Sequence, residues 1–297
     1  MTLPVFLADT AVLAAAAPGA VVLLDGAEGR HAVSVLRMRA GEGVDLVDGA
    51  GRRVRGTVAD IAGRDELHVR IDEVRDEPPS PVRLVLVQAL GKGGRDEQAV
   101  EAAVEVGVDL VVPWRAARCV SVWEGPKIAK GRARWSAVAL AAAKQARRAY
   151  VPEVAEMLST KGLVAHVRGA VAAGSAVLLL HEEATTPLGE AALPPVAGIG
   201  VTGGVRGAGW TREAGGVRGA GGDRDAAEAA NVADAAHAQP PGVEIIVGPE
   251  GGIGDDEVAA LTAAGAQLVR LGPHVLRTST AGPVAIAVLA QRLGYWG

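Results

Sequence analysis

Three short stretches place charged or imidazole side chains and glycines directly after apolar runs: LLLHEEA (178–184), IIVGPEGGIGDDEV (245–258) and VRLGPHVLRTSTAGP (269–283). A glycine-rich turn between a strand and a helix commonly cradles a nucleotide phosphate on backbone N–H groups. The second stretch resists that chemistry. Gly248, Gly251, Gly252 and Gly254 do not form G-x-G-x-x-G, and no Lys-Ser/Thr pair closes a phosphate loop. Pro249 has no N–H to offer, and Asp255, Asp256 and Glu257 already stand at the positive end of the helix dipole. The loop therefore suits a neutral or cationic ligand; a tight turn with ordinary capping acids is the competing reading.

Around it, His181, Glu182, Glu250, His274, Arg277, Ser279 and Thr280 offer acid–base and electrostatic groups. Hydrolytic and metal chemistry are not expected. The six histidines show no H-x-x-x-H spacing and no serine lies in a G-x-S-x-G elbow. The single cysteine, Cys119, excludes an internal disulfide and a multi-cysteine metal site, and reads as a small apolar residue.

Those residues need strands to hold them. VRLVLVQAL, VDLVVPW, AVLLLHEE, residues 243–247 and AQLVRL read as five buried strands. Helices are expected over GGRDEQAVEAAVEVG (93–107), near 131–149 and near 255–264, with a last one from Pro283, which gives a mostly parallel α/β sheet. In such sheets ligands sit beyond the carboxyl ends of the strands, where the three stretches lie. Residues 1–75 have a different rhythm, short alternating runs broken by glycine, as in a small β-barrel. DEPPSP (76–81) reads as a linker to a second domain, 82–297. Residues 196–242 hold twelve glycines in 47 positions, against about 7% on average, and repeat GGVRGAG. They read as a flexible insertion outside the core.

At 297 residues two domains are the default. Apolar residues reach 49% but aromatics only 3%, so stacking platforms for single-stranded nucleic acid are not expected. Net charge is −4, so any nucleic-acid contact must come from local clusters. GRHAVSVLRMRAG (29–41) carries Arg30, His31, Arg37 and Arg39 without an acid, and GRRVR adds Arg52, Arg53 and Arg55. Residues 125–152 carry seven Lys/Arg and no acid, and helical spacing puts Lys144, Arg147 and Arg148 on one face. The N-terminus lacks a basic leader and no uncharged apolar run nears the roughly 18 residues that span a bilayer, so a soluble, cytoplasmic protein is expected.

Taken in order, RHAVSVLRMRAGE, GKGGRDEQAVEAAVEVGV, AAAKQARRAYVPEV, GPEGGIGDDE and LGPHVLRTSTA resemble the bacterial 16S ribosomal RNA uracil-N3-methyltransferases of the knotted SPOUT superfamily. The resemblance spans nearly the whole chain outside the insertion. It implies a PUA-like RNA-binding barrel, then an α/β domain whose C-terminal segment threads a trefoil knot around S-adenosylmethionine, and a homodimer acting on a decoding-region uridine in the 30S subunit. It assigns His181, Gly248, Pro249, Glu250, Gly251, Gly252, Leu271, Gly272, Leu276 and Arg277 to the cofactor. His31, Arg37, Gln145 and Arg148 match positions where the family carries RNA-facing or interface residues, the charge clusters add Arg30, Arg39 and Lys144 as RNA-binding candidates, and Arg118 matches the arginine after the second strand. Departures stand at Ser279 and Lys144, where the family usually has glutamate, and at Gly254, where it has a hydroxyl cap.

For catalysis, Arg277 is expected to stabilise charge developing on the uracil oxygens, and Glu250 to accept the N3 proton or orient the cofactor. Two other readings stay open: methylation at another RNA position such as a ribose 2′-oxygen, and a non-catalytic RNA-binding or assembly protein.

Overall fold

The computed structural model describes residues 2–195 and 241–296. Most of the segment read as an insertion lies outside them. Its last residue does not: Gly242 opens a central strand, and a Cβ there would sit 2.7 Å from the Arg83 carbonyl oxygen.

The alternating N-terminal runs form one curled five-stranded sheet: β1 (Val5–Leu7), β2 (Val21–Leu24), β3 (Gly43–Val47), β4 (Arg52–Ala62) and β5 (Glu66–Asp76), in the order β1-β3-β4-β5-β2. Only β1 and β3 are parallel. Period-two alternation sends Phe6, Leu46, Val54, Leu67, Val69 and Ile71 into a shared core. Register shifts at Arg55/Gly56 and Val58/Asp60 in β4 add the local twist that curls the sheet. Two short helices, α1 (Thr10–Ala14) and α2 (Gly26–Arg30), join the strands, and a π-turn over His31–Val35 extends α2.

After the linker the period changes. Seven parallel strands follow: β6 (Arg83–Ala89), β7 (Leu110–Arg115), β8 (Glu153–Val154), β9 (Leu158–Ser159), β10 (Ala176–Leu180), β11 (Gly242–Val247) and β12 (Gln267–Val269). Their order is β12-β10-β11-β6-β7-β8, with β9 also on β7. Both faces are buried, so the strands read as continuous apolar runs. Leu84, Leu86, Val243 and Ile245 face α3 (Arg95–Glu105), α4 (Pro126–Gln145) and the last helix, α7 (Thr278–Arg292). Val85, Val87, Val177 and Ile246 face α5 (Thr160–Ala172) and α6 (Asp255–Ala263).

Two expected helices are shifted. α4 begins at Pro126, whose fixed φ suits the first helical position, and stops at Gln145 because Arg147 turns left-handed at φ 57°. The Arg148 N–H closes back on the Ala143 carbonyl at 2.8 Å. Lys144, Arg147 and Arg148 therefore share no helix face, which corrects the common face expected from helical spacing. α7 begins at Thr278, five residues before Pro283, because the Thr280 and Ala281 N–H groups reach the Arg277 carbonyl at 2.9 and 3.0 Å. Pro283 sits inside it.

Past β12 the chain stays close to the segment after β10: Arg270 donates to the Thr186 carbonyl and accepts from the Leu188 N–H, both at 2.8 Å. The trefoil knot expected of this domain involves the connection from β10 to β11, of which residues 196–240 lie outside the described residues.

Candidate functional site

β12, β10 and β11 are neighbours and parallel, so their carboxyl ends open side by side. The loops leaving them enclose a cleft of about 770 Å³. His181, Glu182, Gly248, Pro249, Glu250, Gly251, Gly252, Leu271, Gly272, His274, Leu276 and Arg277 all line it. Ser279 does not, although Thr278 and Ala281 on either side do.

Backbone space explains the glycines. A Cβ at Gly248 would meet Ile253 Cγ1 at 2.5 Å, and one at Gly251 would meet the Arg118 carbonyl oxygen at 3.0 Å. Gly252 holds φ +73°, which side-chain-bearing residues rarely adopt. The loop is thus packed outward against the fold while its inner edge faces the cleft. His181 is held by its own N–H on the Val269 carbonyl at 3.0 Å. Its Nδ1 accepts from the Glu183 N–H at 3.2 Å, so in the neutral ring the proton resides on Nε2.

Glu250 is a latch between two loops. Its Oε1 accepts the Lys92 N–H at 3.0 Å and the Arg95 guanidinium at 3.3 Å. Partial burial pushes the carboxyl up, but these donors, with its own N–H, outweigh it and hold Glu250 below the usual carboxylate range. A carboxylate so held is a weak proton acceptor at neutral pH. Arg95 was not singled out in the sequence. Its position at the start of the helix after β6, the strand beside β11, was the available signal.

The acids at the helix start divide between the two readings, one capping the helix and one facing the cleft. Glu257 is buried, and its carboxylate takes the Gly254 N–H (3.1 Å), the Ala117 N–H (2.9 Å) and the Thr160 hydroxyl (2.6 Å). It therefore supplies the N3 half of a capping box on α6, whose hydroxyl half is missing at Gly254, and ties the helix to the loop after β7. Of the three acids only Asp255 lines the cleft. With Glu182, Glu183 and Glu250 it faces Arg95, Arg118, Arg270 and Arg277, a mixed-charge wall.

The basic residues divide sharply. Arg30, Arg37 and Arg39 are exposed, with exposed Val35 and Leu36 between them, and His31 packs edge-on against Phe6 at 5.8 Å. Arg52 pairs with Asp76, and Arg53 and Arg55 both pair with the buried Asp45, so this second cluster is neutralised. Lys144 and Arg148 are likewise paired within the protein. The Lys144 ammonium lies 2.6 and 2.7 Å from the two Glu28 oxygens, joining α4 to the N-terminal unit. Arg148 donates to the Val104 and Val108 carbonyls at 2.9 and 2.6 Å and pairs with Asp109; burial pulls it below its ordinary range. Gln145 is exposed at the helix end.

Burial pushes the Cys119 thiol up, away from a nucleophile's range. Among the described residues no three His, Cys, Asp or Glu side chains converge as a metal site would require, and no helix is long and apolar enough to cross a membrane.

A family model described as an RNA methyltransferase domain matches residues 78–204 and 222–290, and one described as an RNA methyltransferase PUA domain matches 24–72. Residues 205–221, which include the second GGVRGAG, fall in the gap of the first. Ribosomal RNA small subunit methyltransferase E of Mycobacterium tuberculosis is 42% identical over 278 residues, 94% of this chain and 89% of the relative. Its Bacillus subtilis namesake is 22% identical over 271 residues, 91% and 89% of the two chains. A crystal structure of a protein of this name from Neisseria gonorrhoeae, bound to S-adenosyl methionine, superposes with a TM-score of 0.73 at 23% identity, covering 98% of each chain.

Proposed function

The chain belongs to the ribosomal RNA small subunit methyltransferase E family, and from that premise we propose that it methylates N3 of a decoding-region uridine of 16S ribosomal RNA, using S-adenosylmethionine. The observation that carries this reading is the meeting of three strand-end loops around one cleft whose glycine edge leaves no room for side chains and offers no phosphate loop.

The residues fit the cofactor. Gly248, Gly251 and Gly252 permit close backbone approach, Leu180, Leu271 and Leu276 supply apolar wall, and Glu182, Glu183, Glu250 and Asp255 suit its positive charge. When bound, the cofactor supplies a methyl group activated by a cationic sulfur. The chain's own part is to favour the uracil that has lost its N3 proton. Arg277, fixed just before α7, stabilises the negative charge then spread over the uracil oxygens. Glu250, an anion tied to Lys92 and Arg95, orients these loops and does not take the proton, which leaves to water.

RNA contact is proposed for Arg30, Arg37 and Arg39 on the N-terminal unit and for Arg95 and Arg118 at the cleft. A cytoplasmic homodimer on the 30S subunit belongs to the same proposal. Val284 and Val288, one helical turn apart and exposed on α7, with Trp296 beyond them, are the apolar surface a second copy would cover.

The test is incubation with labelled S-adenosylmethionine and 30S subunits from a strain lacking the modification, followed by nucleoside analysis of the 16S RNA. Labelled 3-methyluridine is expected. Label in another nucleoside, or none while the cofactor binds, refutes the uracil assignment.

A further inference from the structure

A buried relay of hydrogen bonds joins the first strand of the large sheet to the glycine loop. Gln88, next to last in β6, is fully buried, and its amide nitrogen donates to Thr278 Oγ1 at 3.0 Å and to the Ala89 carbonyl at 3.1 Å. The Thr278 hydroxyl donates in turn to the Gly248 carbonyl at 2.8 Å. A hydroxyl has one proton, and Gly248 takes it, so Thr278 must accept from Gln88. That requirement sets the amide's orientation and leaves Gln88 Oε1 buried with no partner.

The relay's ends are the two backbone points the cleft depends on. Gly248 is where β11 leaves the sheet, and Thr278 directly follows Arg277, which starts α7 with no side-chain cap. Packing is tight on both sides: besides the close approach of Ile253 to Gly248, a Cβ at Gly282 in α7 would sit 2.8 Å from Leu86 Cδ1 in β6. The steric fit sets how near the segments lie, and the directional bonds set their register.

We propose that Gln88 and Thr278 are positioning residues for methyl transfer: their relay holds the Gly248 carbonyl and the backbone of Arg277 in the spacing the cofactor and the uracil require. This rests on the methyltransferase reading above.

Three variants test it: Thr278→Val, which keeps shape and removes the hydroxyl; Thr278→Ser, which keeps the hydroxyl; and Gln88→Leu, which removes the donor. Three readouts apply to each: amide hydrogen exchange of 248–253 and 274–278 without cofactor, cofactor affinity by calorimetry, and kcat and KM on 30S subunits. For Thr278→Val, exchange in both segments rises and affinity and kcat each fall about tenfold, together the size of the two buried hydrogen bonds left unmade. The KM for 30S subunits stays unchanged, Thr278→Ser stays within about threefold of wild type, and Gln88→Leu follows Thr278→Val. Unchanged exchange, affinity and kcat in a folded Thr278→Val protein overturn the relay, as does Thr278→Ser failing equally, which would assign the effect to packing. Wild-type protein that binds no cofactor instead overturns the parent reading, and the catalytic role with it.

Discussion

Glu250→Gln separates the two roles the carboxylate could have. In the structure Glu250 Oε1 accepts from the Lys92 N–H and from Arg95, with side-chain exposures of 22% for Glu250 and 49% for Arg95. Glutamine keeps an acceptor oxygen and loses the charge. Charge-assisted bonds contribute about 1.5–3 kcal/mol and neutral ones about 0.5–1.5, and solvent screening at Arg95 keeps that share below about 1 kcal/mol. The latch is therefore weakened by about 1 kcal/mol, roughly a fivefold effect on loop order. A general base would be worth about 10²–10⁴-fold in rate. The assay is kcat and KM on 30S subunits from pH 5.5 to 9, with cofactor affinity measured in parallel. Glu250→Gln is expected to keep kcat within about tenfold and to keep the shape of the pH profile. A loss of more than about 100-fold in kcat with intact cofactor binding refutes the latch and restores the base. Acid unfolding gives a second check. Glu250 is held below its ordinary value of 4.5, so its contribution is complete above the unfolded value and fades as pH falls through the folded one. The stability gap between wild type and Glu250→Gln should close on that acid side.

Arg277→Ala should lower kcat by about 10²–10³-fold with cofactor affinity little changed; single-turnover methylation beside calorimetry checks this, and normal turnover contradicts the electrostatic role. Gly251→Ala should weaken cofactor binding about tenfold with a small change in Tm, because the added methyl meets backbone of Arg118 that cannot swing aside. Lys144→Met leaves the partly buried Glu28 carboxylate unpaired and should lower unfolding free energy by about 1–3 kcal/mol; part of this should return in the double variant with Glu28→Gln, read by urea unfolding. Gly131→Ala, which in an ordinary helix would stabilise by up to about 1 kcal/mol, should destabilise by about 1–3 kcal/mol instead. The added carbon falls 2.4 Å from the Trp123 ring, and a raised Tm would show that the ring moves freely.

Much of this architecture was legible in the residue order. Alternation in 1–75 and continuous apolar runs afterwards marked the two sheets, and both periods are local consequences of which faces are buried. The five main strands of the large sheet appear where VRLVLVQAL, VDLVVPW, AVLLLHEE, 243–247 and AQLVRL place them. The three strand-end loops likewise stood out, because charge beside glycine after a buried strand has no use in a core. Local pattern could not decide partners. The acids at 255–257 look alike in sequence, yet Glu257 turns inward to atoms of Ala117 and Thr160, and Glu250 reaches Lys92 and Arg95, more than 150 residues away. Seven basic residues without an acid between 125 and 152 read as an open cationic surface, but Glu156, Glu97, Glu28 and Asp109 reach four of them from elsewhere in the chain. The cap that ends α4 at Gln145 was hidden for a related reason: a left-handed arginine, Arg147, carries no glycine signal. Composition and period thus determined the elements and the location of the cleft. Which charges face the ligand and which are neutralised within the protein was decided only by tertiary packing, since a charge's role depends on what the fold brings within a few ångströms of it.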